Sequence, residues 1–248
     1  NPDIRTPHID RLASEGIRFT RALSSNPVCS PTRATFLTGL IPSQHGVHSY
    51  LGGERPNAQM GPDAYCTIRE FASLPKILSQ AGYVCGLSGK WHLGANLTPQ
   101  EGFSSWITMP HGHTTEFYDV PVLENGQERK EPKYLTDLWT QHGVRFLEQN
   151  KDRPFFLYLA YNGPYALGRL LLNPARNRHA EYYADKELLS FPRDAMHPWQ
   201  FNNKEFLNNP VSIRRVAAEV SGVDDGVGGI LQTLQRLGLD DRTLVVFA

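Results

Sequence analysis

Apolar positions along the chain fall into two kinds of run, some with helical spacing and some short and continuous. Ile9, Leu12 and Ala13, set between Thr6-Pro7 and Gly16, predict a short helix with proline in its first turn. Ile17 to Ala22 alternates and predicts a strand. Ser30-Pro31 opens a second helix that closes near Thr38-Gly39. Ser73 is placed to cap a third, from Leu74 to Ala81, with Gly82 as its stop. Tyr83 to Ser88 predicts a strand leading into a turn at Gly89. Leu138, Val144, Phe146 and Leu147 give helical spacing over Thr136 to Asn150, and Asp152-Arg153-Pro154 turns the chain into Phe155–Tyr161. That run is apolar without alternation, the pattern of a strand buried on both faces of a parallel sheet. Residues 162–210 are rich in Asn, Pro and Arg and give no regular element, which suits a functional loop region or a mobile one. From Ile213 to Leu237 a 3.6-residue period is clear, Gly238 ends it, and Thr243–Ala248 predicts a last buried strand.

Strands alternating with helices predict an α/β fold, a largely parallel mixed sheet flanked by helices. The chain has 248 residues, 40% of them hydrophobic and 20% charged, which excludes disordered and fibrous classes. No apolar run approaches the ~20 residues of a bilayer span. Net charge is zero and no basic stripe stands out, which argues against a nucleic-acid partner. Cys29, Cys66 and Cys85 cannot build a disulfide framework, and Cys66 and Cys85 are either buried thiols or one bridge.

Two segments carry chemistry. In Pro27-Val-Cys-Ser-Pro-Thr-Arg-Ala-Thr-Phe-Leu-Thr-Gly39, Cys29 lies at a helix N-terminus, where unpaired N–H groups and the dipole favour an anion. Arg33 follows one turn later and can reach the same spot, while Phe36, Leu37 and Leu40 would anchor the opposite face. A buried Cys before an ordinary helix with a surface Arg would leave the same string. In Gly82-Tyr-Val-Cys-Gly-Leu-Ser-Gly-Lys-Trp-His-Leu-Gly94, Lys90 and His92 follow a strand in a Gly-rich turn. At i, i+2 in an extended segment they would share a face, and a cation beside an imidazole suits an oxyanion with a proton to move.

Together the two segments resemble the signature stretches of the type I sulfatases, formylglycine-dependent, arylsulfatase-like sulfuric-ester hydrolases of the alkaline-phosphatase-like superfamily. The first matches at Cys29, Pro31, Arg33, Thr38 and Gly39. The second matches at Gly82, Tyr83, Gly89, Lys90, Trp91 and His92, with Cys85 where the family usually has Ser or Thr. Weaker likeness runs through Thr6–Gly16, His45-Gly-Val47, Gly102-Phe103, Pro154–Tyr161 and Leu237–Ala248. The resemblance implies a single partial catalytic domain over residues 1–248. It also implies that a maturation enzyme oxidises Cys29 to formylglycine, whose hydrate, with a divalent cation (Ca²⁺ in most members), attacks sulfur. The catalytic set would be Cys29, Arg33, Lys90 and His92, with Lys90 and Tyr165 on the substrate. That substrate would be a sulfated small molecule or carbohydrate, and the compartment periplasmic or extracellular. Relatives with the same pattern act on phosphate or phosphonate esters, so that reading stays open, as does a fragment that only binds anions.

The match fails at the metal. The family's Asp pair after its first strand and its Asp-Asn or Asp-His pair after a later one are expected before Asn1 and after Ala248, which leaves modified Cys29 as the sole ligand. Ca²⁺ takes six to eight oxygens, so the 248-residue chain is expected to be inactive. Asp10 suits a helix's first turn, Asp3 is a poor substitute, and Asp224-Asp225 are expected on the long helix as a polar face or structural partners. Tyr165, in Asn162-Gly-Pro-Tyr165, stands where the family commonly has His. His111 and His113 have a spacing that could bind metal or simply line a polar loop. Arg169, Arg176, Arg178 and His179 could rim a site for an anionic substrate or be solvated.

Overall fold

The computed structural model describes residues 1–52, 59–61, 63–112, 114, 116–165, 172–191 and 209–248. Helix α1 (Pro7–Glu15) is followed by α2 (Cys29–Thr38), the one-turn α3 (Pro42–His45) and α4 (Leu74–Gln80). Strands β1 (Val84–Gly89), β2 (Ser105–Thr108), β3 (Val120–Glu124) and β4 (Gln127–Glu131) come next. They precede α5 (Leu135–Asn150), β5 (Phe155–Ala160), the short α6 (Ala180–Tyr183) and the long α7 (Pro210–Arg236). Among the described residues the strands form one mixed sheet in the order β4-β3-β2-β1-β5. One end is parallel, β1 pairing with β2 and with the edge strand β5, while β3 and β4 continue the other end as antiparallel strands.

The α/β expectation is met, and helices over 7–15, 29–38, 74–80, 135–150 and 210–236 lie where the periodicity put them. Strands β2, β3 and β4, and helices α3 and α6, were not anticipated. They are short, and a run of four or five residues carries too little periodicity to stand out. Three expectations fail. Ile17–Ala22 and Thr243–Ala248 are not strands, and most of their apolar side chains face outward, Ile17 83% and Leu244 89% exposed, while Val245 packs on a core cluster. Neither finds a ladder partner among the described residues, and without one an extended segment leaves its N–H and C=O groups to water. For the same reason β5 is not buried on both faces. Among the described residues it pairs with β1 alone, and Phe155–Leu159 are half-buried.

Among the described residues, two of the hydrophobic clusters on the sheet frame the site. One gathers Leu37, Ile68, Cys85, Leu87, Trp91, Phe103 and Trp106, with Trp91 edge-on to both Phe103 and Trp106. The other, around Met109, Phe117, Tyr134, Leu138 and Trp139, receives Tyr161 and Tyr165. Helix α7 packs along α5, and at Gly226 it comes so close that a Cβ would lie 2.3 Å from the Tyr161 hydroxyl. Its Asp224 is buried, and its carboxylate accepts the main-chain N–H groups of His8 (3.0 Å) and Ile9 (2.8 Å). Thr6 makes no side-chain cap on α1, so Asp224 caps that helix from a distance of over two hundred residues in sequence.

Candidate active site

The carboxyl ends of β1 and β5 meet at one point. Gly89 has φ +115°, and a Cβ there would lie 2.1 Å from the Ala160 carbonyl oxygen. Only glycine lets the two strands close, and the Lys90 N–H then donates to Ala160 O at 2.8 Å. Trp91 drops into the core, with its N–H on Thr108 Oγ1 (3.1 Å) and its indole N–H on Gly94 O (2.8 Å). Lys90 is thereby turned the other way, toward Cys29.

Cys29 is the first residue of α2, half-buried and not bridged. The turn before it is set by Asn26, whose Oδ1 accepts Val28 N–H at 2.9 Å and whose carbonyl accepts the Thr32 hydroxyl. Ser30 is buried, and its Oγ accepts Leu51 N–H at 3.2 Å. Ala34 and Leu37 anchor the helix in the core. Leu40 is half-buried, and Phe36, expected inside, is exposed and stacks on Tyr158 of β5 with ring centroids 5.8 Å apart. Arg33 donates through Nη1 to the Lys90 carbonyl at 2.5 Å and lies 3.5 Å from the Tyr158 hydroxyl. Its Nε is buried with no hydrogen-bond partner among the described residues.

Lys90 is 6% exposed. Burial pushes its ammonium down to about 8, the Arg33 charge pushes the same way, and the neighbouring Cys29 draws it partly back. Two cations that repel each other in a dry place are stabilised by an anion between them, and a helix N-terminus such as that of α2 favours negative charge at the same place. Tyr165 stands at its edge. Burial raises its phenol above the ordinary value, and its neighbours Cys29 and Tyr50 add to the rise. Its main-chain N–H is held by Glu219 Oε2 at 3.0 Å.

His92 does not share an extended face with Lys90. Its φ is +58°, in the left-handed region, so the i, i+2 argument fails there. The ring is fully buried, with Nε2 2.7 Å from Leu51 O and its face against Gly112, where a Cβ would collide at 1.7 Å. It reaches the Cys29 turn through one residue, since Leu51 also donates to Ser30.

The remaining candidates lie elsewhere. Asp3 is held by Ser190 and Asp10 by Thr6. Arg178 pairs with Asp137 and Asp225, and His179 Nε2 lies 2.7 Å from Asp225 Oδ2. Arg176 lies over the Tyr118 ring, 4.5 Å from its centroid. His111 is exposed, while His113 and Arg169 lie outside the described residues. Cys66 and Cys85 are buried free thiols, Cys66 pushed up to about 12 by burial. Sequence reasoning missed Tyr158, Leu51 and Glu219. Only Tyr158 had a signal, a lone hydroxyl in an apolar strand.

A half-buried sulfur at a helix N-terminus, with Arg33 and Lys90 nearby, lies at the carboxyl edge of an α/β sheet, the edge at which such sheets place their ligands. The chain belongs to the sulfatase family, whose model matches residues 1–248. It is similar to the N-acetylgalactosamine-6-sulfatase of Mus musculus, 31% identical over 99% of this chain and 45% of that protein. It is also similar to the N-sulphoglucosamine sulphohydrolase of Homo sapiens, 30% identical over 100% and 46%. A solved structure from work on the metabolism of multiple glycosaminoglycans by Bacteroides thetaiotaomicron superposes with a TM-score of 0.76 at 26% identity, covering 96% of this chain and 52% of that one. The fold is alkaline-phosphatase-like. The chain spans about half the length of the curated relatives it matches.

The family implies formylglycine and a metal ion. Cys29 fits the first, being unbridged, half-buried and flanked by Arg33 and Lys90. For the second, no group of three or more His, Cys, Asp or Glu among the described residues could hold an ion. The described residues alone do not fit a cation site.

Proposed function

We propose that the whole protein hydrolyses sulfate esters of carbohydrates, using formylglycine made from Cys29 by a maturation enzyme. The observation that carries this reading is the meeting of Arg33 and Lys90 at Cys29. When present, formylglycine supplies a hydrated aldehyde whose hydroxyl is the nucleophile. Around it, Lys90 and the α2 N–H groups would bind the sulfate oxygens, and Arg33, through its unpaired Nε, would orient the group at position 29. Tyr165 would donate a hydrogen bond at the edge of the hole. His92, locked on Leu51, would hold or exchange a proton there. Preorganised donors of this kind act where charge develops in the transition state.

In this reading the cation of the whole protein is Ca²⁺, residues 162–210 lie on the substrate side, and the enzyme works in the periplasm or outside the cell. The amino-sugar names of two relatives, N-acetylgalactosamine-6-sulfatase and N-sulphoglucosamine sulphohydrolase, support a sulfated carbohydrate as the substrate.

The test has two parts. Trypsin releases Ala22–Arg33 as one peptide, and its mass shows whether CH₂SH has become CHO in a host with the maturation enzyme. The whole protein is then offered an aryl sulfate and an aryl phosphate. Conversion with faster sulfate cleavage is expected. An unmodified thiol, or faster phosphate cleavage, would overturn the proposal.

A further inference from the structure

Arg215 and Glu219 lie one turn apart on α7, both buried. Arg215 Nε donates to Glu219 Oε1 at 2.9 Å. The other carboxylate oxygen accepts the Tyr165 N–H. Arg215 Nη1 also makes a long contact, 3.5 Å, with the Asn173 carbonyl. One pair on one helix therefore grips the chain at Tyr165 and again at Asn173. The approach from β5 is close. A Cβ on Gly163 would lie 3.2 Å from the Phe117 ring and 3.9 Å from Glu219 Cβ.

Burying two charges is a poor way to gain stability, because dehydration cancels most of the attraction and apolar residues of equal volume would pack as well. An apolar pair could not, however, present a fixed oxygen to a main-chain N–H. Tyr165 sits on a peptide that neither helix nor sheet holds, so its N–H needs a partner from elsewhere. Glu219 supplies it, and Arg215 fixes the carboxylate so that only one oxygen is turned to Tyr165.

We propose that Glu219, locked by Arg215, is a positioning residue that sets Tyr165 against the Cys29 hole. This rests on the sulfatase reading for its catalytic consequence but not for its geometry. Two measurements on the whole protein separate the two. In Glu219→Ala, amide exchange at residues 161–165 speeds up while α5 and α7 stay protected. On an aryl sulfate its kcat falls about tenfold, the size of one misplaced hydrogen bond, with little change in KM. Glu219→Gln, with one acceptor oxygen left for two donors, recovers only part of the loss. In Tyr165→Phe the further change to Glu219→Ala costs nothing more, because the effect runs through the phenol. Glu219→Asp, which keeps the charge but withdraws the oxygen by one methylene, replaces the alanine variant if that one does not fold. Unchanged exchange at Tyr165, or losses that add in the double variant, would overturn the proposal. A wild-type protein that cleaves no sulfate ester would sink the sulfatase reading instead, and the exchange measurement would still judge the positioning.

Discussion

Arg33 donates to the main-chain oxygen of Lys90 at 2.5 Å, so the two cations of the site are tied together through the backbone of one and the side chain of the other. Arg33→Lys keeps the charge but loses the planar fork that allows one nitrogen to bind Lys90 O while Nε stays available. Turnover of an aryl sulfate by the whole protein is expected to fall about 10- to 100-fold with circular dichroism unchanged. Activity within about twofold of wild type would show that charge alone is enough.

Gly89→Ala should damage the same place from the backbone side. The new Cβ has no room against Ala160 O, and φ is in the region that L side chains rarely adopt. A loss of at least about 2 kcal/mol is expected from urea unfolding. An unchanged midpoint would mean that β1 and β5 can part at this end without cost.

Acid should weaken the chain through His142. It is buried on α5, pushed down to about 4 by burial, with Arg145 pushing the same way and Glu124 opposing. Between pH 4 and the ordinary 6.5 the unfolded chain binds the extra proton, so stability rises with pH across that window and is lost as pH falls through it. The loss amounts to roughly 2–3 kcal/mol. His142→Leu should flatten it, read as urea midpoints at the two ends of the window. An equal slope in the variant would remove His142 as the cause.

Asp224→Ala should loosen α1. Two N–H groups lose their acceptor, which costs about 1–2 kcal/mol, while Asp224→Asn keeps one oxygen and recovers part. Thermal unfolding of the three forms ranks them. Equal stability would mean that water caps α1 as well as Asp224 does.

Much of this site was legible before folding. Cys29, Arg33 and Lys90 stand in two short strings whose residue types already suggest an anion hole, and the structure brings those three together. The place of Tyr165 beside Cys29 came from resemblance and not from spacing. Glu219 was invisible, because its partner is an N–H 54 residues away, and a main-chain group leaves no mark in a sequence. His92 was misread for a related reason. Its left-handed backbone is imposed by its buried surroundings, Leu51 on one side and Gly112 on the other, rather than by the residue itself.

Helices α1, α2, α5 and α7 followed from the order of the residues alone, since each closes its hydrogen bonds within a few positions and its apolar stripe can be read directly. Strands did not. Ile17–Ala22 alternates and Thr243–Ala248 is as apolar as Phe155–Ala160, yet among the described residues only the last has a neighbour, β1, to complete its ladder. The same holds for charge. Asp224, expected as a polar face or a structural partner, proved to be a partner, the cap of another helix, while Arg178, expected to rim the site or be solvated, is paired. Whether a strand is a strand, or a charge is free, depends on groups far away in the chain, and only the folded arrangement brings them within bonding distance.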